Sequence, residues 1–331
     1  MNFIFTMVGE FGYELLNWQG VVRKWASYNK NEKDTITICS RNGLELFYDF
    51  ADNYVNLSKF DSYNNTIADV YEAFVVTNGN VNELSRSEWN IQRKGEHIEK
   101  IKQDVINYVD TFITGDRKFI WSCDYTELND FHFGKDPTNT FGGIYDGTLR
   151  VHENDYRKIN LDNYFYDIKE KIQNKVDINL DNPFILCQTA FRTGYEHRSG
   201  VKIDHKILFE KIKDKYDILF LDFSSGRTLD SFSQFHGYQS YTTNVLVEQL
   251  TLMKLAKYCI LTSEGDYRSH FYLPCMVGKD SHVVASRDIM ERLSATSCDF
   301  YNDNVFTFGG KMINYVYEDV LENINKFNNR F

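Results

Sequence analysis

Gln249-Leu250-Thr251-Leu252-Met253-Lys254-Leu255-Ala256-Lys257-Tyr258-Cys259-Ile260-Leu261-Thr262-Ser263-Glu264-Gly265 is the stretch on which the fold turns. Apolar residues at 245, 246, 250, 252, 253, 255 and 256 recur at helical spacing, which predicts a helix over Val245–Tyr258 packed on a sheet. Cys259–Ser263 is then a short apolar run with no polar alternation, the pattern of a strand buried on both faces. Glu264-Gly265-Asp266 turns the chain into a second helix at about 267–277. A buried strand between two helices is the unit of a parallel α/β sheet.

The same alternation extends in both directions. Towards the carboxyl end, His282–Ser286 closes the sheet and a last helix covers Ile313–Phe327. Towards the amino end, Asp217–Phe223 is a strand, preceded by a helix at about 204–214, a polar loop over Phe191–Val201 and a strand at Phe184–Ala190. Asn182-Pro183 ends a helix at about 156–175, because the residue before proline is pushed out of the helical region. The first half repeats the theme with strands at Phe3–Val8, Thr35–Ser40, Ala73–Thr77 and Lys118–Cys123. Helices are expected at Tyr13–Tyr28, near Gly43–Asp52 and over Gly95–Ile113, where Ile98, Ile101, Val105, Tyr108, Val109 and Phe112 form one stripe. Asp124 to Asp155 is rich in Asp, Asn, Gly and Thr and has no sustained period, so it is expected to be a long loop or domain connection. The 331 residues suffice for about two domains of roughly 100–200 residues. The expected architecture is α/β, with two Rossmann-like domains, 1–155 and 156–331, facing an interdomain cleft; the last helix is a candidate to pack back on the first domain.

Composition excludes several classes. Lys plus Arg is 37 against 47 Asp plus Glu, a formal charge of −10, so a basic nucleic-acid coat is not the default. Aromatics make up 16% of the chain, whereas disordered chains are aromatic-poor. No apolar run approaches the ~18 residues needed to cross a bilayer. The first eight residues lack the cationic start and cleavage site of a signal peptide. Six dispersed cysteines show no CxxC pair, which disfavours a disulfide framework or zinc ribbon and points to the cytoplasm.

In open parallel sheets ligands bind beyond the carboxyl ends of the strands, so the loops that follow strands are where chemistry is sought. Gly9-Glu10-Phe11-Gly12-Tyr13-Glu14 follows the first strand. Its glycines permit close backbone approach to a ligand, and Glu10 or Glu14 can accept a proton from a hydroxyl within reach. The structural alternative is that Glu14 complements the helix dipole while Glu10 is solvated. The spacing is not the GxGxxG of dinucleotide-binding folds. Arg192-Thr193-Gly194-Tyr195-Glu196-His197-Arg198 sets two arginines and His197 around a glycine; guanidinium forks match phosphate oxygens, so a diphosphate clamp competes with a plain surface ion pair. Ser263-Glu264-Gly265-Asp266-Tyr267-Arg268-Ser269-His270 joins a strand end, a glycine turn and a helix start, a place suited to phosphate. Asp266 can equally be that helix's N-cap, and Glu264 can accept from ribose hydroxyls. Ser224-Ser225-Gly226-Arg227 either lines a base pocket or makes an ordinary turn. The chain has no Asp-x-Asp pair, no HxxxH or HxH, no P-loop and no GxSxG, so a metal, NTPase or serine-hydrolase centre has no motif behind it.

Val8-Gly9-Glu10-Phe11-Gly12-Tyr13-Glu14-Leu15-Leu16-Asn17-Trp18-Gln19 resembles the opening strand, glycine loop and helix of glycosyltransferases with two Rossmann domains (the GT-B kind), in particular fucosyltransferase-like and heptosyltransferase-like families. Ile185-Leu186-Cys187-Gln188-Thr189-Ala190-Phe191-Arg192-Thr193-Gly194 is similar to the strand and arginine loop that opens their donor domain. Gln249–Gly265, with Ser269-His270 and Pro274 beyond, resembles their helix, strand and turn. Two departures stand out: residue 193 is Thr where a second arginine is common, and Glu10, Tyr13 and Glu14 occupy the loop where the heptosyltransferase-like proteins carry Asp.

The resemblance implies a metal-independent, inverting glycosyltransferase without a cofactor, taking a sugar from a nucleotide-diphosphate donor. Glu10 or Glu14 would be the base. Arg192 would neutralise the leaving group, and Gly9, Gly12, His197, Arg198, Ser224, Ser225, Ser263, Glu264, Gly265, Arg268, Ser269 and His270 would hold the donor. The expected acceptor is a surface glycan. The Asn-, Asp-, Tyr- and Phe-rich, proline-poor composition is similar to phage-encoded proteins and makes a hydroxymethylated base of phage DNA the alternative. A nucleotide-sugar epimerase or hydrolase and a non-catalytic nucleotide-sugar binding module are the rival readings.

Overall fold

A computed structural model describes residues 1–8, 14, 18–66, 99–122, 159–190, 203–222, 237–243, 245–263, 269–295 and 310–331. The chain divides into two compact units, Met1–Tyr156 and Arg157–Phe331.

The first unit is built on β1 (Asn2–Thr6), β2 (Thr35–Ser40), β3 (Asn53–Asn56) and β4 (Arg117–Trp121), all parallel, in the order β3-β2-β1-β4. Period-two alternation gives β1 two apolar faces. Ile4 joins a core cluster with Val8, Cys39, Val55 and Trp121. On its other face, Phe5 meets Trp25 at 5.0 Å and Trp18 at 6.4 Å, both edge-on, and Trp25 belongs to α1 (Gln19–Asn29). After the short α2 (Asp61–Thr66), helical residues 99–109 form α3. Ile101, Val105 and Val109, four apart, drop one helix face into the Ile4 cluster. Tyr108 and Phe112 are exposed instead, with the Lys59 ammonium over the Tyr108 ring, so the expected stripe is narrower than its apolar count suggests.

The second unit carries β5 (Phe184–Ala190), β6 (Asp217–Asp222), β7 (Gln239–Thr242), β8 (Tyr258–Ser263), β9 (Ser281–Ala285) and β10 (Met312–Val316), again all parallel. Their order is β10-β9-β8-β5-β6-β7. Counted from its own first strand this is 3-2-1-4-5-6, the doubly wound Rossmann order, and the first unit shows its 3-2-1-4 part. Ile185, Cys187, Ile260 and Val284 on one sheet face bury Leu208 and Phe209 of α5 (His205–Phe209), Tyr317 and Val320 of α8 (Tyr317–Glu322) and Phe327 of α9 (Ile324–Asn328). The chain's last helices thus find their partners in the second unit's own core.

α6 (Leu246–Leu255) packs against α4 (Phe165–Gln173) and is buried almost all round. It carries the buried Glu248, whose carboxylate accepts from Lys171 Nζ at 2.5 Å, Tyr241 Oη at 2.8 Å and Thr243 Oγ1 at 2.6 Å. Burial pushes the Glu248 carboxyl up, but Lys171, Thr243 and Tyr241 outweigh it and hold it below the ordinary range.

Several expected boundaries move. The helix expected over 313–327 is a strand followed by two short helices, so β10 and not 282–286 forms the sheet edge. Met312–Val316 is only partly buried, and on an edge strand the sequence pattern does not separate from that of an amphipathic helix. β3 and β7, four residues each and largely polar, are further edge strands that apolar patterning does not reveal. Near 43–52 there is a single 3₁₀ turn, Glu45–Phe47, in place of a helix. Within the helix expected over 13–28, α1 covers Gln19–Asn29, and Glu14 and Trp18 have π-type helical backbone. The strand expected at 73–77 and the loop expected at 124–155 lie outside the described residues.

Candidate functional site

In the doubly wound order the crossovers leave the first strand in opposite directions, which opens a crevice at its carboxyl end beside the fourth strand. In the second unit that switch point lies between β5 and β8, whose last residues, Ala190 and Ser263, are register partners. Immediately beneath it three buried polar side chains close a triangle. Thr189 Oγ1 lies 2.8 Å from Thr262 Oγ1, and His205 Nε2 lies 3.2 Å from Thr189 Oγ1 and 2.9 Å from Thr262 Oγ1. Thr189 and Thr262 are themselves register partners, and His205 opens α5. The Asp204 carboxylate caps that helix by accepting from the Lys206 and Ile207 amides. Phe209 stacks on the imidazole at 6.2 Å and Phe220 meets it edge-on at 5.6 Å.

Of the residues expected to hold a donor, Ser263 is the buried last residue of β8. Ser269 and His270 stand in a 3₁₀ turn, Ser269–Tyr272, which passes into the four-residue α7 (Leu273–Met276) with Pro274 in its first turn. From Ser269 on, the helix expected at about 267–277 is thus a 3₁₀ turn followed by four α-helical residues. Arg192, His197, Arg198, Ser224, Ser225, Glu264, Gly265 and Arg268 lie outside the described residues, as do Gly9, Glu10 and Gly12 of the first unit.

Glu14 is described, and it is wholly buried. Its Oε1 accepts from Tyr48 Oη at 2.6 Å and from Ser40 Oγ. Its Oε2 faces Arg41 Nε at 3.6 Å. Ser40 ends β2 and Arg41 follows it, so the carboxylate ties the approach to α1 to the carboxyl edge of the sheet. Tyr54 Oη donates to the Arg41 carbonyl at 2.5 Å. Burial raises the Glu14 carboxyl above its ordinary range, opposed by Arg41, Ser40 and Tyr48. Burial also raises the Tyr48 and Tyr63 phenols. Burial works against the Arg41 charge, but Tyr63 and Glu14 more than compensate. A carboxylate enclosed in this way organises the side chains around it.

Sequence reasoning missed Ser40, Arg41, Tyr48, Thr189, Thr262 and His205. Ser40 and Arg41 were within its reach, since they stand at a strand's carboxyl end. Tyr48 and His205 carried no local signal, because both come to their partners only through tertiary packing. Among the described residues no group of three His, Cys, Asp or Glu side chains is placed to hold a metal ion, and no helix is long and apolar enough to cross a membrane.

No family model and no curated protein matches the sequence. Solved structures do resemble it. A glycosyl transferase of family 9 from Veillonella parvula superposes with a TM-score of 0.53 at 11% identity, covering 100% of this chain and 97% of that one. The Escherichia coli ADP-heptose lipopolysaccharide heptosyltransferase II gives 0.50 at 9% identity, covering 100% and 99%. At such identities the likeness is one of fold: the chain has the two-Rossmann-domain, GT-B-type α/β architecture over its full length.

Proposed function

We propose that this chain is a metal-independent, inverting glycosyltransferase that moves a sugar from a nucleotide-diphosphate donor to the hydroxyl of a surface glycan. The observation that carries the reading is the switch point of the second sheet. The loop bearing Arg192, His197 and Arg198 leaves from Ala190, and the loop bearing Glu264, Gly265 and Arg268 leaves from Ser263, two strand ends that are register partners. Two arginine-bearing loops departing from adjacent strand ends suit a pyrophosphate. The second unit is then the donor domain and the first the acceptor domain. The kinship of fold with a protein described as an ADP-heptose transferase supports a sugar nucleotide as the donor class.

In this reaction the acceptor oxygen forms a bond to the anomeric carbon as the bond to the donor phosphate breaks, which inverts the centre. Glu10 takes the acceptor proton. Glu14, enclosed by Ser40, Tyr48 and Arg41, shapes the loop that carries Glu10 and does not itself take the proton. Negative charge collects on the departing nucleoside diphosphate, where Arg192, Arg198 and Arg268 neutralise it, as a metal does in other enzymes of this reaction type. The net charge of −10 favours a glycan over DNA as acceptor.

A thermal-shift screen against UDP-, GDP-, CMP- and ADP-sugars identifies the donor. With that donor, Arg192→Ala lowers transfer by about 10²–10³-fold while the protein stays folded, the usual cost of removing one preorganised charge donor. Full activity in that variant refutes the assignment. Donor consumed equally fast with no acceptor present makes the protein an epimerase or hydrolase, and stabilisation by a donor with no turnover makes it a binding module.

A further inference from the structure

We infer that His205 is a positioning residue, which with Thr189 and Thr262 fixes the two strand ends from which the donor loops depart; the inference rests on the donor-site reading given above. The triangle spans three separate pieces of chain. Thr189 and Thr262 are the penultimate residues of the two central strands, and His205 lies at the start of α5, where the chain returns to the sheet after leaving β5. The imidazole therefore ties the helix that follows residues 191–202 to Thr189, two residues ahead of them. The ladder sets the spacing of β5 and β8, and the ring adds a contact from α5 to both strands at the crevice.

Packing alone does not ask for a histidine here. His205 is fully buried, between Phe209 and Phe220, which belong to the second unit's apolar core. An aromatic hydrocarbon fills such a slot, and the two threonine hydroxyls, 2.8 Å apart, already pair with each other. Losing the imidazole leaves one of the two hydroxyls short of a partner, which costs some stability. What the imidazole adds is a directional link between α5 and both strand ends. Small displacements of groups that hold a reacting ligand cost far more in function than in stability.

The test compares wild type with His205→Phe, Thr189→Val/Thr262→Val and His205→Gln, whose amide can still bond a hydroxyl. Calorimetric titration with ADP, GDP, UDP and CDP gives affinity for the nucleoside diphosphate. In His205→Phe the dissociation constant of the diphosphate that wild type binds rises about tenfold or more. The donor KM rises with it, kcat falls because the same loops carry the arginines that neutralise the leaving group, and His205→Gln recovers most of the loss. Amide exchange at Ala190, Ser263 and Ile203 quickens in His205→Phe by more than at Leu219 and Val283, in the middle of β6 and β9. Should His205→Phe not fold, the double valine variant, which leaves the histidine in place, is expected to show the same pattern. Unchanged affinity together with unchanged exchange at those amides overturns the inference, as does a loss of stability with affinity intact. If wild type binds none of the four diphosphates, the donor-site reading fails, and the exchange result alone decides whether the triangle fixes the strand ends.

Discussion

Replacing Glu14 separates its two conceivable roles. In Glu14→Ala, Tyr48 Oη and Ser40 Oγ lose their common acceptor at sites closed to water, and each buried donor left unsatisfied costs about 1–3 kcal/mol. Arg41 also loses its counter-charge, so the total falls at about 3–5 kcal/mol, the usual cost of removing one partner of a buried pair. For a unit of this size that corresponds to a fall of about 6–20 °C in melting temperature. Glu14→Gln keeps an oxygen for both hydroxyls and loses only the charge, a cost of about 1–2 kcal/mol.

The natural probe is tryptophan fluorescence during urea unfolding, because Trp18, Trp25, Trp89 and Trp121 all lie in the first unit. The pH dependence has a definite sign. A carboxyl raised above its ordinary value of 4.5 by burial lends the folded state most stability while protonated, and loses that contribution as pH climbs from 4.5 through the folded value. The deficit of Glu14→Gln relative to wild type therefore shrinks as pH rises through that window. Activity completes the argument. Glu14→Gln keeps a substantial part of the transfer rate, whereas Glu10→Gln loses about 10²–10⁴-fold, the contribution of a general base. A folded Glu14→Gln protein without transfer would make Glu14 the base and refute the positioning role. Equal destabilisation by Ala and Gln would refute the argument from shared hydroxyl donors.

Two further outcomes follow from packing. Gly310→Ala destabilises the second unit by more than about 2 kcal/mol, because a Cβ there would lie 2.2 Å from the Lys279 carbonyl oxygen and 2.7 Å from the Cys275 Cα, both backbone atoms that cannot swing aside. Urea unfolding followed by circular dichroism checks this, and a neutral result would mean that the strand leading from Gly310 is not seated beside Lys279. Burial pushes the Cys39 and Cys259 thiols up to about 12 and raises Cys187 and Cys275 as well, so these four resist DTNB in the native protein and react in urea. Rapid native labelling at any of them, located by peptide mass mapping, would contradict their burial.

The sequence by itself determined that this chain is α/β with parallel sheets, because strands buried on both faces, such as Phe184–Ala190 and Cys259–Ser263, appear as unbroken apolar runs between helical periods. It also determined which loops follow those strands, and hence where polar residues deserved attention. Only the tertiary structure decided the strand order, and with it that the loops after β5 and β8 leave from paired strand ends, since order depends on crossover direction and not on local pattern. It alone showed the polar edge strands β3, β7 and β10, which half-exposure leaves without an apolar signature. It alone showed that Glu14 is enclosed: Tyr48 stands 34 residues away in the chain and 2.6 Å away in space, and only the folded backbone brings that hydroxyl to the carboxylate.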